Sequence, residues 1–308
     1  MTSHRSPWWW ARLAATVAIL GVLAWRVGAG PFLDGLRTVD VASLAAATGL
    51  AVLTTLCCAW RWRVVARGLG VELPLGAAIV AYYRSLFLNV TVPGGIVGDL
   101  HRGISHGRQA RDVGRGLRAV TWERSAGQAV QLVLTVAVLL VAPSPVRAAM
   151  PFVAIGLLVA GVVVVLAARR RQAPGRSRWA RLRRAVAGDL RDGLLVRRAW
   201  PVVALTSALV VAGHTLTFVI AAHTAGADVP LARLLPLALL VLAAAALPNV
   251  GGWGPREGMT AWAFAAAGLG ASLGIATAVA YGVMVLVASL PGAVVLLVEA
   301  RAAGVSNA

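Results

Sequence analysis

The chain has 308 residues, 59% of them hydrophobic and 13% charged, with a mean hydropathy of +0.80. A water-soluble domain of this length needs far more polar surface, so composition speaks for a membrane protein and against an independent soluble catalytic domain. The net charge is +18, and every basic residue other than histidine is arginine.

The first apolar run covers about Trp8 to Trp25. His4, Arg5 and Arg12 precede or enter it, which predicts a cytoplasmic N-terminus, with Trp8, Trp9 and Trp10 as an interfacial anchor. A cleaved signal peptide ending near Val27-Gly-Ala-Gly30 is the competing reading. The second run covers about Val41 to Trp60, and Arg61, Arg63 and Arg67 after it place that end inside. Within it, the adjacent Cys57 and Cys58 read as packing residues, not as a disulfide or metal pair.

The next run, Leu75 to Val92, leads into a glycine-rich break: Leu86-Phe-Leu-Asn-Val-Thr-Val-Pro-Gly-Gly-Ile-Val-Gly-Asp-Leu-His-Arg102. If Leu75 to Val92 simply crossed the membrane, Arg102, Arg108, Arg111, Arg115 and Arg118 would all lie outside. A re-entrant hairpin, broken near 89–98, removes that conflict; broken backbone at membrane depth needs protein or a wet cavity around it. A span from about Leu117 to Val141, a turn at Pro143-Ser-Pro145 and a span from about Met150 to Ala168 follow.

Residues 169–198 hold eleven arginines and two aspartates, half of the +18. Trp179, Leu182, Val186 and Leu190 recur there at helical spacing, which predicts an amphipathic helix on the cytoplasmic interface. An anionic lipid surface is its expected partner; nucleic acid is not. The fifth span is about Trp200 to Ala222. Leu234 to Leu247 is short for a crossing and meets a second break, Leu247-Pro-Asn-Val-Gly-Gly-Trp-Gly-Pro-Arg-Glu257. An apolar helix resumes over Met259 to Leu273, and a last span over about Ala276 to Val298 ends at Glu299 and Arg301.

This order reads as span, span, hairpin from inside, span, and then span, span, hairpin from outside, span. The expected architecture is all-α and polytopic, one membrane domain over 1–308. Its two inverted repeats would cover about 8–141 and 148–300, with both termini cytoplasmic. The repeat requires the first span to stay uncleaved. A straight reading of both hairpins counts eight or more spans instead.

Charge at the breaks carries the candidate chemistry. Gly254 and Pro255 suit the cap and first turn of a helix, which puts Arg256 at an N-terminus that favours anions. Arg256 either holds a substrate phosphate or neutralises an acid in the other half; Glu257 reads as a capping and balancing residue. At the first break, Asn89 and Thr91 offer hydrogen bonds, with Asn249 doing the same at the second. Asp99 and Arg102 are spaced to pair on one helical face, either at a site or at a cytoplasmic hairpin end. Pro93, Gly94, Gly95, Gly98, Gly251, Gly252 and Gly254 supply the breaks themselves. Glu123 and Arg124 lie in the third span as either a functional pair or a snorkelling one. Arg84 needs a partner such as Glu123 or Asp99, and His214 reads as a helix–helix hydrogen bond. No catalytic residue, metal site or cofactor motif is visible.

The arrangement Asn89…Pro93-Gly-Gly…Gly98-Asp99…Arg102, then Glu123-Arg124, then Pro248 to Glu257 resembles the lysylphosphatidylglycerol synthase transmembrane, or flippase-like, family. The resemblance covers nearly the whole chain. It implies a polytopic protein of the cytoplasmic (inner) membrane, in a family whose best-known members carry aminoacylated phosphatidylglycerol across the bilayer. Those members also have a soluble synthase domain. This chain shows none up to Ala308, so synthase activity is not carried over, and a separate synthase or glycosyltransferase becomes an expected partner. The resemblance also implies Asn89, Asp99, Arg102, Glu123, Arg124, Arg256 and Glu257 as site residues. The expected function is translocation of an anionic, aminoacylated or lipid-linked headgroup. A membrane-embedded subunit or enzyme of lipid-linked glycosyl transfer, or a non-transporting scaffold, is the alternative.

Overall fold

The computed structural model describes residues 21, 25, 30–92, 95–169, 185–190, 199–245 and 254–306. The expected first span, most of the basic segment 169–198, Pro93, Gly94, Asn249, Gly251 and Gly252 lie outside them, in whole or in large part.

The described residues form helices and no strand. They are α1 (Gly30–Arg37), α2 (Val41–Gly68), α3 (Leu75–Thr91), α4 (Val97–Gln109), α5 (Val113–Val141), α6 (Met150–Arg169), α7 (Trp200–Thr224), α8 (Leu231–Ala245), α9 (Pro255–Ala266), α10 (Ala271–Ser289) and α11 (Pro291–Ser306). Five stretches are long and apolar enough to cross a membrane: Val41–Gly68, Val113–Val141, Arg147–Ala167, Trp200–Thr224 and Ala271–Ala302. The chain is therefore a multi-pass helical membrane protein.

Both glycine-rich breaks join two short helices that pack on each other, α3 on α4 and α8 on α9. Their lengths, 17, 13, 15 and 12 residues, correspond to about 18 to 26 Å at 1.5 Å per residue. None of the four reaches across a hydrocarbon core of about 30 Å alone. Aspartates start the two longest described helices, α2 and α5: Asp40 Oδ1 accepts from the Ser43 N–H at 2.7 Å, and Asp112 Oδ1 from the Arg115 N–H at 2.8 Å. Each satisfies one of the unpaired N–H groups of a first turn.

The centre of the bundle is the long contact between α2 and α7. Helix α5 packs on α7 and α10 packs on α2; α8 packs on α5 and α3 on α10. Close approach depends on small residues. A Cβ at Gly213 of α7 would come within 2.4 Å of Thr54 Cγ2 of α2. The largest apolar core joins Phe218, Leu234, Leu237, Phe264, Tyr281 and Met284 from α7 to α10.

Three expectations change. The helix expected over Met259 to Leu273 ends at Ala266, and a turn with positive φ at Gly268 and Gly270 starts α10. The last span is broken at Leu290, because Pro291 has no N–H to continue the helical ladder. A short helix, α1, was not expected; it packs on α10, where a Cβ at Gly35 would lie 2.5 Å from the Ala276 carbonyl oxygen.

Candidate functional site

The first hairpin carries two polar stripes. Tyr82, Ser85 and Asn89 recur at i, i+3 and i+7 on α3, and Asp99, Arg102 and His106 do the same on α4. That spacing puts each set on one helical face, and the two faces meet. Gly98 permits it, since a Cβ there would lie 2.1 Å from the Ser85 carbonyl oxygen.

Asn89 joins the two arms. Its Oδ1 accepts from the Gly98 N–H at 2.8 Å, and its Nδ2 donates to Asp99 Oδ2 at 2.9 Å. Ile96 precedes α4 without a capping side chain, so Asn89 supplies that cap from the neighbouring helix. Gly95 takes a φ of +62°, which suits glycine, in the connection between them.

Asp99 also accepts from Ser85 Oγ at 3.3 Å and from Arg102 Nε at 3.0 Å, and it pairs with Arg124. Arg102 Nη2 donates to Glu123 Oε2 at 2.7 Å. Its guanidinium carbon lies 4.1 Å from the Tyr82 ring centre and 4.7 Å from that of Trp62. A cation against two aromatic faces is held in place as well as neutralised.

Glu123, fully buried, is the hub. Oε1 accepts from Arg61 Nε at 2.9 Å, from Arg61 Nη2 at 2.5 Å and from the Tyr82 hydroxyl at 2.9 Å. Arg61 Nη1 continues to Ser207 Oγ on α7, also at 2.9 Å. Gly127, one turn along α5 from Glu123, leaves the room: a Cβ there would lie 2.8 Å from Arg61 Nη1. Three guanidinium groups, Arg61, Arg102 and Arg124, thus share two carboxylates, Asp99 and Glu123.

Asp99 and Arg102 pair as their spacing suggests, and they are 7% and 1% accessible. Three expectations are corrected here. Glu123 and Arg124 do not pair with each other: Glu123 is taken by Arg61, Arg102 and Tyr82, and Arg124 by Asp99. Arg84 pairs with neither Glu123 nor Asp99; its Nη1 meets Glu299 Oε1 of α11 at 2.6 Å. Arg61 is no loop arginine marking the end of a span, but a buried member of the network inside α2. Thr91 stands apart, its hydroxyl donating to the Phe87 carbonyl of its own helix at 2.7 Å.

The described end of the second break starts at Gly254. Gly254 has a φ of +105° and caps α9, with Pro255 in the first turn. Glu257 Oε2 accepts from the Gly254 N–H at 2.7 Å, while Oε1 accepts from Arg256 Nε at 2.9 Å. A carboxylate of the protein itself thus sits at this helix N-terminus, and among the described residues Arg256 pairs with its neighbour Glu257. Arg256 lies 5.3 Å from the Tyr281 ring centre, and the Tyr281 hydroxyl is 3.3 Å from His214 Nδ1. That contact is the helix–helix hydrogen bond expected of His214, linking α7 and α10.

An apolar slot of 60 Å³ lies among α2, α3, α7 and α10, walled among others by Thr54, Cys58, Tyr82, Leu86, His214 and Met284. Tyr82 belongs to the first cluster, and His214 reaches the second only through Tyr281. Sequence reasoning missed Arg61, Tyr82 and Ser85. The stripe at i, i+3 and i+7 on α3 was a usable signal for the last two; nothing in the spacing marked Arg61.

A polytopic helical body with two helix–break–helix hairpins and a buried arginine–carboxylate network defines a class of membrane protein that keeps charge where hydrocarbon makes it costly. The chain belongs to the family described as the lysylphosphatidylglycerol synthase TM region, whose model matches residues 9–292. Membership makes it a membrane domain associated with lipid modification or translocation. Comparison with curated proteins gives no match.

Proposed function

We propose that this chain translocates a lipid with an anionic, aminoacylated or lipid-linked headgroup between leaflets of the cytoplasmic membrane. One observation carries the reading: a network of three arginines and two carboxylates, buried except at Arg124, borders an apolar slot enclosed by α2, α3, α7 and α10. Ionisable groups in a membrane body are costly and face a polar pathway or each other. This network does the second incompletely, because its cations outnumber its anions. The slot is too small for a headgroup, since ligand pockets run to about 300–1,000 Å³. The present arrangement is then a closed one, and transport requires the helices around the slot to part.

Helix contacts support the two-fold part of this reading. Exchanging α1, α2, α3, α4 and α5 with α6, α7, α8, α9 and α10 leaves the main contacts named above unchanged: α5 on α7 becomes α10 on α2, and α8 on α5 becomes α3 on α10. Two inverted repeats would give that reciprocity. In this scheme Arg61, Arg102 and Arg124 attract the headgroup phosphate, Asn89 supplies a hydrogen bond, and Asp99 or Glu123 meets a cationic headgroup. Arg256 and Glu257 hold the opposing hairpin, and both termini face the cytoplasm.

Reconstituted vesicles carrying a fluorescent phosphatidylglycerol or its lysyl ester test the scheme. Wild-type protein should accelerate loss of label asymmetry. Arg61→Met combined with Glu123→Met removes one charge of each sign and keeps side-chain volume, so the fold should survive. Transport that persists undiminished in that variant overturns the site assignment.

A further inference from the structure

A second cavity, polar and 270 Å³ in volume, lies on the other side of the network, between α2, α3, α4 and α11. Trp62, Arg84, Arg102, Ser105, His106 and Glu299 provide its polar lining, and Gly76 and Ala77 leave it open at α3. Four of these residues carry a buried nitrogen with no hydrogen-bond partner among the described residues: Trp62 Nε1, Arg84 Nε, Arg102 Nη1 and His106 Nε2. All four are more than nine-tenths buried, at 0%, 8%, 1% and 6% accessibility.

The missing chemistry is that of an acceptor. Indole and guanidinium nitrogens only donate, and a histidine Nε2 donates in one tautomer. A buried donor left unmet is costly, so several around one cavity call for a shared acceptor. Charge points the same way. Across this cavity and the adjoining network, Arg61, Arg84, Arg102 and Arg124 face Asp99, Glu123 and Glu299, which leaves one positive charge uncompensated. Glu299 is the one carboxylate in the lining, and it is engaged by Arg84 Nη1. Water would supply acceptors but no charge. A cation would meet donors and like charge.

We propose that this cavity binds a phosphate-type oxyanion, either free phosphate or the phosphate of a lipid headgroup. Arg102 and Arg84 offer charge-assisted donors, and Trp62 and His106 add neutral ones. At about 30 Å³ per water, the volume takes a phosphate group with part of its hydration. The site shares Arg102 with the network of the transport reading but does not rest on transport: a protein that binds phosphate here and moves no lipid would still carry it.

The test uses the purified full chain in detergent. Inorganic phosphate is titrated by equilibrium dialysis with radiolabel, with chloride held constant. Short-chain phosphatidylglycerol is the second ligand, and the matching diacylglycerol, which lacks phosphate, is its control. Saturable binding of phosphate or of the phospholipid, with none of the diacylglycerol, is the expected result. Displacement of phosphate by the phospholipid assigns the site to a headgroup; phosphate binding without displacement assigns it to a free anion. Ser105→Asp puts a like charge on the half-buried rim and should weaken binding by about tenfold or more, while Ser105→Asn stays within about twofold. Gln109→Glu, also on the lining, repeats the charge test from an exposed position should Ser105→Asp fold poorly. If neither phosphate source binds, the cavity holds water only and the proposal is overturned. Binding unchanged in both acidic variants overturns it equally.

Discussion

Asn89 of α3 caps α4, an adjacent helix, by accepting from the Gly98 N–H while donating to Asp99. One amide therefore fixes the register of the hairpin and orients the carboxylate that two arginines share. Asn89→Ala should cost about 1 kcal/mol as a lost cap. Asn89→Asp keeps the acceptor but sets a second carboxylate against Asp99, so it should destabilise more than alanine does. Thermal unfolding in detergent ranks the two, and the reverse order would remove Asn89 from the Asp99 network.

Glu123 neutralises Arg61 and Arg102 at once. Removing one partner of a buried pair leaves an uncompensated charge, at a cost of about 3–5 kcal/mol. Glu123→Gln is expected to fall in that range, and Arg124→Gln, whose side chain is 40% accessible, well below it. Equal melting shifts for the two would show that Glu123 is not the hub.

Gly98 and Gly49 should respond oppositely to alanine. At Gly98 a Cβ meets α3 backbone within 2.1 Å, so Gly98→Ala must push the hairpin arms apart. At Gly49 a Cβ meets nothing within 4 Å, and Gly49→Ala should stabilise α2 by up to about 1 kcal/mol. Melting temperatures of both variants check the pair.

His106 makes stability depend on pH. Burial holds its imidazole below the ordinary histidine value of 6.5. Between 6.5 and that lowered value the unfolded chain binds the extra proton and the folded chain does not. Stability from this residue is therefore complete above 6.5 and is lost as pH falls through the window. The melting temperature should drop on acidification from about pH 7 to 5, less steeply in His106→Phe. Identical slopes in the two proteins would assign the effect to other groups.

Much of the fold was legible because the relevant forces act locally. Apolar run length marked the spans, and a cluster of arginines in an impossible place marked the first hairpin. Asp99 and Arg102 could be paired from spacing alone. Arg84 with Glu299, and Arg61 with Glu123, could not. Those partners are 215 and 62 positions apart, and a single sequence contains no term that joins them. Arg256 is a related case. A cation at a helix N-terminus reads as an anion site, but the adjacent Glu257 can fold back to fill the role, and only coordinates show that it does.

The Arg84–Glu299 bridge has a consequence for biogenesis. Ribosomes make the first hairpin long before α11. At about 5–20 residues per second, the buried guanidinium waits roughly 10–40 s for its carboxylate. Throughout that interval the hairpin carries a charge that hydrocarbon opposes, so the arms gain their full reason to stay seated only when α11 arrives. The last helix acts as a latch on the first break, and the assembly of this membrane body is ordered by a bond that its early portion cannot form alone.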